Sequence, residues 1–239
     1  MSLYFKIFKW LSVFFLLITM TSYTNKIQGE QKIYLENLVI DNDSNQYITK
    51  KDIVLYLEQN SFNLEGSVYK NFEKEYLEQL LLSHSLIKNV EVFTTPKGAL
   101  NIYIQQKKAI VRIMTEQDNC YLDEYGMKMN LSKNSTSDLI VVTGDVSSTK
   151  YPEIYKLINH INKQNFLEAL ITQIHYQDGD ILLIPRVGSE KINIGNVTNL
   201  NNKFKKLHSF YKSVISKEAG NKFLEINLKY DSQIVCTKK

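Results

Sequence analysis

The chain has 239 residues, 44% of them hydrophobic, with only three prolines: enough apolar material for one or two cored domains and too much for a disordered polypeptide. Its formal charge of +4 is uneven, because residues 199–239 hold nine lysines against three acids, so that segment carries +6 and the rest of the chain −2. A basic C-terminal surface suits anionic lipid, cell-wall polymer or an acidic protein, and the N-terminus argues against nucleic acid by sending the body out of the cytoplasm.

That N-terminus is apolar from Trp10 to Met20 apart from Ser12 and Thr19, and the window 7–23 contains one charge, Lys9. A span needs about 20 apolar residues, with about 17 near the lower limit. The segment therefore predicts a short transmembrane anchor over 10–23, with Lys9 snorkelling and Trp10 and Tyr23 at the interfaces. Lys6 and Lys9 precede it, while Lys26 and Lys32 behind it are offset by Glu30 and Glu36. This bias predicts a cytoplasmic tail over 1–9, a linker over 24–31 and an exported body. A cleaved signal peptide fits the same apolar stretch, but Thr19-Met20-Thr21 offers no small-residue cleavage pair.

Residues 33–40 predict a strand, closed by a polar loop at 41–45. Thr49 stands three before Asp52, a capping-box spacing that puts Ile53, Val54 and Leu57 on one helical face. A second helix over 71–82 would bury Phe72, Tyr76, Leu77 and Leu80. Val90, Val92 and Phe93 then precede the turn Thr95-Pro96-Lys97-Gly98, and Leu100, Ile102 and Ile104 follow with period two, which is a hairpin with one buried face. Strand, helix, helix, strand, strand over 32–106 makes an α+β module with both helices on one sheet face.

From 107 to 239 the chain is strand-rich, with short β-prone runs at 109–114, 120–122, 139–142, 170–175, 181–184, 192–194, 223–228 and 233–236. Two helices interrupt them: 152–165, with Ile154, Leu157, Ile158 and Ile161 inward, and 200–214, with Phe204, Leu207 and Tyr211 inward. Asp178-Gly179-Asp180 signals a hairpin. Cys120 and Cys236 are the only cysteines; an oxidising compartment would let them pair, and buried free thiols are the plainer alternative.

The strings Ile87-Lys88-Asn89-Val90-Glu91-Val92 with Gly98-Ala99-Leu100-Asn101-Ile102, then Tyr121-Leu122-Asp123-Glu124-Tyr125-Gly126, Val142-Thr143-Gly144, and Asn227-Leu228-Lys229-Tyr230-Asp231 with Gln233-Ile234-Val235 carry a resemblance. In this order, behind an N-terminal anchor, they resemble the bacterial cell-division family FtsQ/DivIB, in its Bacteroidetes-type form. The resemblance implies a POTRA domain over 32–106 followed by a β domain over 107–239. It departs from the family at Lys107-Lys108-Ala109, where a basic-x-Pro joint is usual, at Ile140 in place of a proline, and at Lys229 in place of an arginine.

The same resemblance implies a non-catalytic, single-pass scaffold of the inner membrane, its bulk in the periplasm and without a cofactor. Its implied partners are small FtsB/FtsL-like membrane proteins and, through them, septal peptidoglycan synthases. A last strand with a bare edge would let a partner segment pair as an added strand, with Tyr230, Ser232, Gln233, Ile234, Val235, Cys236 and Thr237 as the docking residues. Lys238 and Lys239 would favour an acidic partner. Two other readings stay open: a POTRA-type export or assembly chaperone, and a secreted hydrolase. For the hydrolase, Asp123 and Glu124 are the tempting acidic pair, but adjacent residues in a turn point apart, and Asp with Gly126 forms turns. His84, His160, His175 and His208 stand in no metal spacing, and no G-x-S-x-G string is present.

Overall fold

The structure is a computed structural model that describes residues 3–41, 45–64, 66–135, 138–215 and 223–239; positions 42–44 of the loop expected at 41–45 lie outside the described residues. The chain divides between Gln106 and Lys107 into two compact units.

Unit 1 begins with helix α1, Leu3–Gly29, of which Ile7–Gly29 is long and apolar enough to cross a membrane. At about 1.5 Å per residue these 23 residues span roughly 35 Å, against a hydrocarbon core of about 30 Å. The helix does not stop at Tyr23, because no proline or glycine interrupts it before Gly29. The stretch expected as a linker is therefore mostly helical.

The rest of unit 1 is strand β1 (Tyr34–Asp41), helices α2 (Lys50–Gln59) and α3 (Lys74–Leu82), and strands β2 (Ile87–Thr94) and β3 (Ala99–Gln106). The sheet order is β1-β3-β2, with β3 parallel to β1 and antiparallel to β2. The capping box forms: Thr49 accepts from the Asp52 N–H, and the Asp52 carboxylate accepts from the Thr49 N–H at 2.8 Å. Ile53, Leu57, Leu77 and Leu81 join Val90, Val92, Leu100, Ile102 and Ile104 in the core. Tyr76 does not. It is 48% exposed, because α3 turns Leu77 and Leu81 inward and Tyr76 stands roughly 100° round the helix from Leu77; α3 itself starts at Lys74, after a separate 3-10 turn at Tyr69–Asn71.

Among the described residues unit 2 forms one nine-stranded sheet, ordered β12-β11-β10-β9-β8-β7-β4-β5-β6. Its strands are β4 (Ala109–Met114), β5 (Asn119–Asp123), β6 (Lys128–Met129), β7 (Val141–Gly144), β8 (Ile171–Gln177), β9 (Asp180–Pro185), β10 (Lys191–Gly195), β11 (Phe223–Asn227) and β12 (Val235–Lys238). Parallel neighbours need long crossovers. Helices α4 (Tyr151–Asn162) and α5 (Asn165–Leu170) make the one from β7 to β8, and α6 (Leu200–Phe210) lies in the one from β10 to β11. Both cover the same sheet face: the His160 ring stacks on Phe204 with centroids 5.3 Å apart, and Ile154, Leu157, Ile158, Ile161, Phe204 and Leu207 share one core with Val142, Ile174, Leu183, Ile192 and Ile226. The helix expected over 200–214 changes to a π turn at Tyr211–Ile215. Neither α5 nor the two-residue β6 was expected.

Cys120 on β5 and Cys236 on β12 are free and seven strands apart. At roughly 4.8 Å per strand that is about 34 Å, far beyond the reach of a disulfide.

The Val142-Thr143-Gly144 turn has a steric cause. Gly144 has φ +89°, and a Cβ there would sit 2.0 Å from the Tyr176 carbonyl oxygen on β8. Gly144→Ala should therefore lower stability by on the order of 3 kcal/mol, read as a shifted urea midpoint together with faster amide exchange in β7 and β8. A wild-type midpoint would show that the Tyr176 backbone yields freely.

Candidate functional site: an edge strand and its clasp

Among the described residues β12 pairs with one neighbour, β11, through Phe223↔Lys238, Glu225↔Thr237, Ile226↔Cys236 and Asn227↔Val235. Its other side is a row of backbone groups without a strand partner. The register settles an alternation that the sequence left open. Ile226 is fully buried, so Cys236 opposite it, with Ile234, packs on the core, while Val235 (41% exposed) and Thr237 lie on the face of Asn227 and Glu225.

Of the residues expected to dock a partner, Val235, Cys236 and Thr237 lie on β12. Ser232, Gln233 and Ile234 lie in the connection before the strand, and Tyr230 is a 51% exposed side chain at its bend. That connection is pinned along its first turn. The Leu228 N–H donates to the Asn193 carbonyl (2.8 Å), and Leu228 is fully buried. The Lys229 N–H donates to Asn227 Oδ1 (3.0 Å), the Lys229 ammonium bonds Asp180 Oδ2 (2.8 Å), and the Lys206 ammonium bonds the Tyr230 carbonyl.

Beneath this turn Asn193, 6% exposed, ties three strands together. Its amide donates to Asp180 on β9 (3.0 Å) and Glu225 on β11 (3.3 Å), and its Oδ1 accepts from the Gly195 N–H (2.9 Å). Lys203 on α6 is buried, yet its ammonium is satisfied by the carbonyls of Ile194 (2.7 Å) and Asn196 (2.9 Å) and by Asn196 Oδ1 (3.2 Å); burial holds its pKa below the ordinary lysine value. Asp180, Asn193, Lys203 and Lys206 were not singled out as site residues from the sequence, where Asp180 read only as turn chemistry and Lys229 only as a departure from the family's arginine.

The other polar clusters do structural work. Asp123 is buried, and its Oδ1 accepts from the N–H groups of Tyr125 (3.0 Å) and Met127 (2.9 Å), while Lys107 lies 3.6 Å from its other oxygen. Glu124 accepts from the Lys108 N–H at 3.0 Å, so the two carboxylates diverge. His175 exchanges a hydrogen bond with Thr143 (2.9 Å), which also accepts from Gln173 (2.8 Å). The Tyr151 hydroxyl lies between the Asp118 carboxylate and the Cys120 thiol. Burial pushes the Tyr151 and Cys120 pKa values up, and the ion pair with Lys128 holds Asp118 down, so each of the three moves away from neutrality. Among the described residues no three His, Cys, Asp or Glu side chains converge to hold a metal ion.

Residues 108–237, more than half of the chain, match the family described as FtsQ/DivIB, C-terminal related. The chain belongs to the FtsQ/DivIB family. Residues 35–105 match a POTRA-like domain, in keeping with the β1-β3-β2 sheet and its helices. Among solved structures, the chain is similar to the major extracytoplasmic domain of the trans isomer of the cell-division protein DivIB from Geobacillus stearothermophilus, at 19% identity and a TM-score of 0.26, covering 32% of this chain and 69% of that one. Comparison with curated proteins returned no match. FtsQ/DivIB proteins are non-catalytic division proteins, and the role of this member is that of a cell-division scaffold. The apolar α1 fits a single-pass membrane protein.

The clasp predicts an acid dependence. The Asp180 pKa is lowered, chiefly by the Lys229 hydrogen bond and then by Asn193. A depressed carboxylate stabilises fully above its unfolded value of about 4, and its contribution is lost as pH falls through the lower folded value. Unfolding midpoints measured from pH 7 down to about pH 2 should therefore fall less steeply in Asp180→Asn than in the unchanged chain over that lower range. Identical slopes would show that the pair contributes nothing in solution.

Proposed function

We propose that this FtsQ/DivIB member recruits small FtsB/FtsL-like membrane proteins to the division site, and through them septal peptidoglycan synthases, by accepting a partner strand on β12. The observation that carries the reading is the edge of β12, unpaired among the described residues, beside a turn held by polar contacts from three strands and one helix: Lys229 to Asp180, Lys206 to Tyr230, and Asn193 to Asp180 and Glu225. A held edge loses less conformational freedom when it is extended than a mobile one would. Backbone bonds then supply affinity, while Val235 and Thr237 on one face, with Tyr230 at the rim, supply selectivity. Lys238 and Lys239 at the end of the strand favour an acidic segment and discourage pairing with other edges.

In the same proposal α1 anchors the chain with the N-terminus in the cytoplasm, since Lys6 and Lys9 stand on that side of the apolar run and the lysines behind it are offset by acids. Both units then lie in the periplasm, where a strand from a neighbouring single-pass protein can reach β12.

Two measurements test this. Val235→Pro removes a backbone donor and kinks the edge, while β11 and the core strands stay paired; capture of an FtsB-like partner by the full chain should fall at least about tenfold with little change in the melting curve. Undiminished capture by a folded Val235→Pro chain would place the interface elsewhere, the β1 edge of unit 1 being the next to test. Orientation is checked with a membrane-impermeant thiol reagent on a Cys-free chain carrying Ser2→Cys or Lys239→Cys: labelling from the periplasmic side is expected at Lys239→Cys alone, and labelling at Ser2→Cys would reverse the topology.

A further inference from the structure

Among the described residues, the sheet of unit 1 has one face under α2 and α3 and one face open. In register across the three strands, the open face reads Asn37-Asn101-Phe93, then Val39-Tyr103-Glu91, then Asp41-Gln105-Asn89. Val39, Tyr103 and Phe93 form a diagonal across it and are 42%, 40% and 45% exposed. The two aromatic rings stack with centroids 5.5 Å apart and planes 12° off parallel, which fixes them as one platform. Asn101 is buried beside them, donating to Glu36 (3.3 Å) and paired with Asn37 (2.8 Å), so the polar part of the face is satisfied internally and the apolar diagonal is left uncovered.

Among the nine register positions the charged residues are Asp41 and Glu91, both acidic, and Glu36, at the bulge of β1, reaches the face through its hydrogen bond from Asn101. Apolar side chains ringed by carboxylates on a chain whose net charge is +4 form a local field opposite to that of the whole molecule. Such a face repels anionic lipid and a second copy of itself. It suits a cation over the Phe93–Tyr103 rings with further cations against the three acids. Its width matters too: three strands at roughly 4.8 Å make a platform of about 10–14 Å, the diameter of an α-helix with its side chains.

We propose that this open face docks a basic amphipathic helix of a partner protein, its leucine-like side chains on Val39, Tyr103 and Phe93 and its lysines or arginines against Glu36, Asp41 and Glu91. The site is independent of the β12 edge. The two differ in chemistry as well, since one engages side chains of a sheet face and the other the backbone of a sheet edge.

The full chain in nanodiscs of zwitterionic lipid is titrated with a fluorescent helical peptide of about 18 residues, five turns, built from Leu and Lys with all leucines on one side, and binding is read by anisotropy against empty nanodiscs. The counterparts are a Leu/Glu peptide of the same pattern and a Leu/Lys peptide with the leucines scattered. Binding of the patterned Leu/Lys peptide alone is expected, weakened about tenfold or more by Tyr103→Ser and by Glu91→Lys, strengthened by low salt and unchanged by Val235→Pro. Both altered side chains are exposed, and an unchanged melting curve confirms folding, with Asp41→Lys as a further variant. Absence of binding, equal binding of the Leu/Glu or scattered peptide, insensitivity to Glu91→Lys in a folded chain, or Tyr103-dependent self-association in its place would each overturn the proposal.

Discussion

The parallel pairing of β10 with β11 is the constraint on which the C-terminal part of the sheet depends. Parallel neighbours cannot be joined by a hairpin, so the chain must leave the sheet after Gly195, pass through α6 and return at Phe223. That detour lays Phe204 and Leu207 over Ile192, Ile194 and Ile226, closing the core at its far end. Only then does β11 present a free side on which β12 can fold back antiparallel. The edge thus depends on the helix crossover that places the strand carrying it, and the helix is in turn secured by the Lys203 ammonium on the Ile194 and Asn196 carbonyls.

Burying Lys203, Asn193 and Glu190 in this region is tolerable because each is answered by fixed partners. Glu190 accepts from the Tyr211 hydroxyl at 2.7 Å, at the point where α6 changes to its π turn, and Asn193 uses both ends of its amide. Networks of this kind are costly to break at one member, because the remaining groups stay buried without partners. They make the support beneath the β12 turn rigid in a way that an apolar contact of equal area, free to slide, would not.

How much of this was legible in the sequence follows from the range of the forces involved. The capping box at Thr49 and Asp52, the Gly98 turn, the Asp178-Gly179-Asp180 hairpin and the inward faces of α4 and α6 are local patterns of period two, three or four, and they appear in the structure where the residues place them. Tyr76 was misplaced because apolar spacing at 76, 77 and 80 fits an inward face nearly as well as the 77 and 81 spacing that the structure uses, and only packing on the sheet decides between them. The clasp was not legible at all. Asp180 and Lys229 are 49 residues apart, and nothing near either one signals the other. Which of Ile234, Val235, Cys236 and Thr237 face the core is likewise a matter of register against β11, and register is a tertiary fact.

The two unit surfaces differ in what they can discriminate. An edge such as β12 offers every extended segment the same backbone groups, so its selectivity has to come from a short strand, flanking lysines and a few outward side chains. A sheet face such as that of unit 1 offers no backbone groups and binds nothing that lacks a matching apolar stripe and charge. The flanking lysines of β12 favour acidic segments, whereas Glu36, Asp41 and Glu91 favour basic ones. On the two proposals above, a partner segment suited to one surface would be repelled by the other, and the charge asymmetry between the chain's basic C-terminal stretch and its acidic remainder would keep two classes of partner from exchanging places.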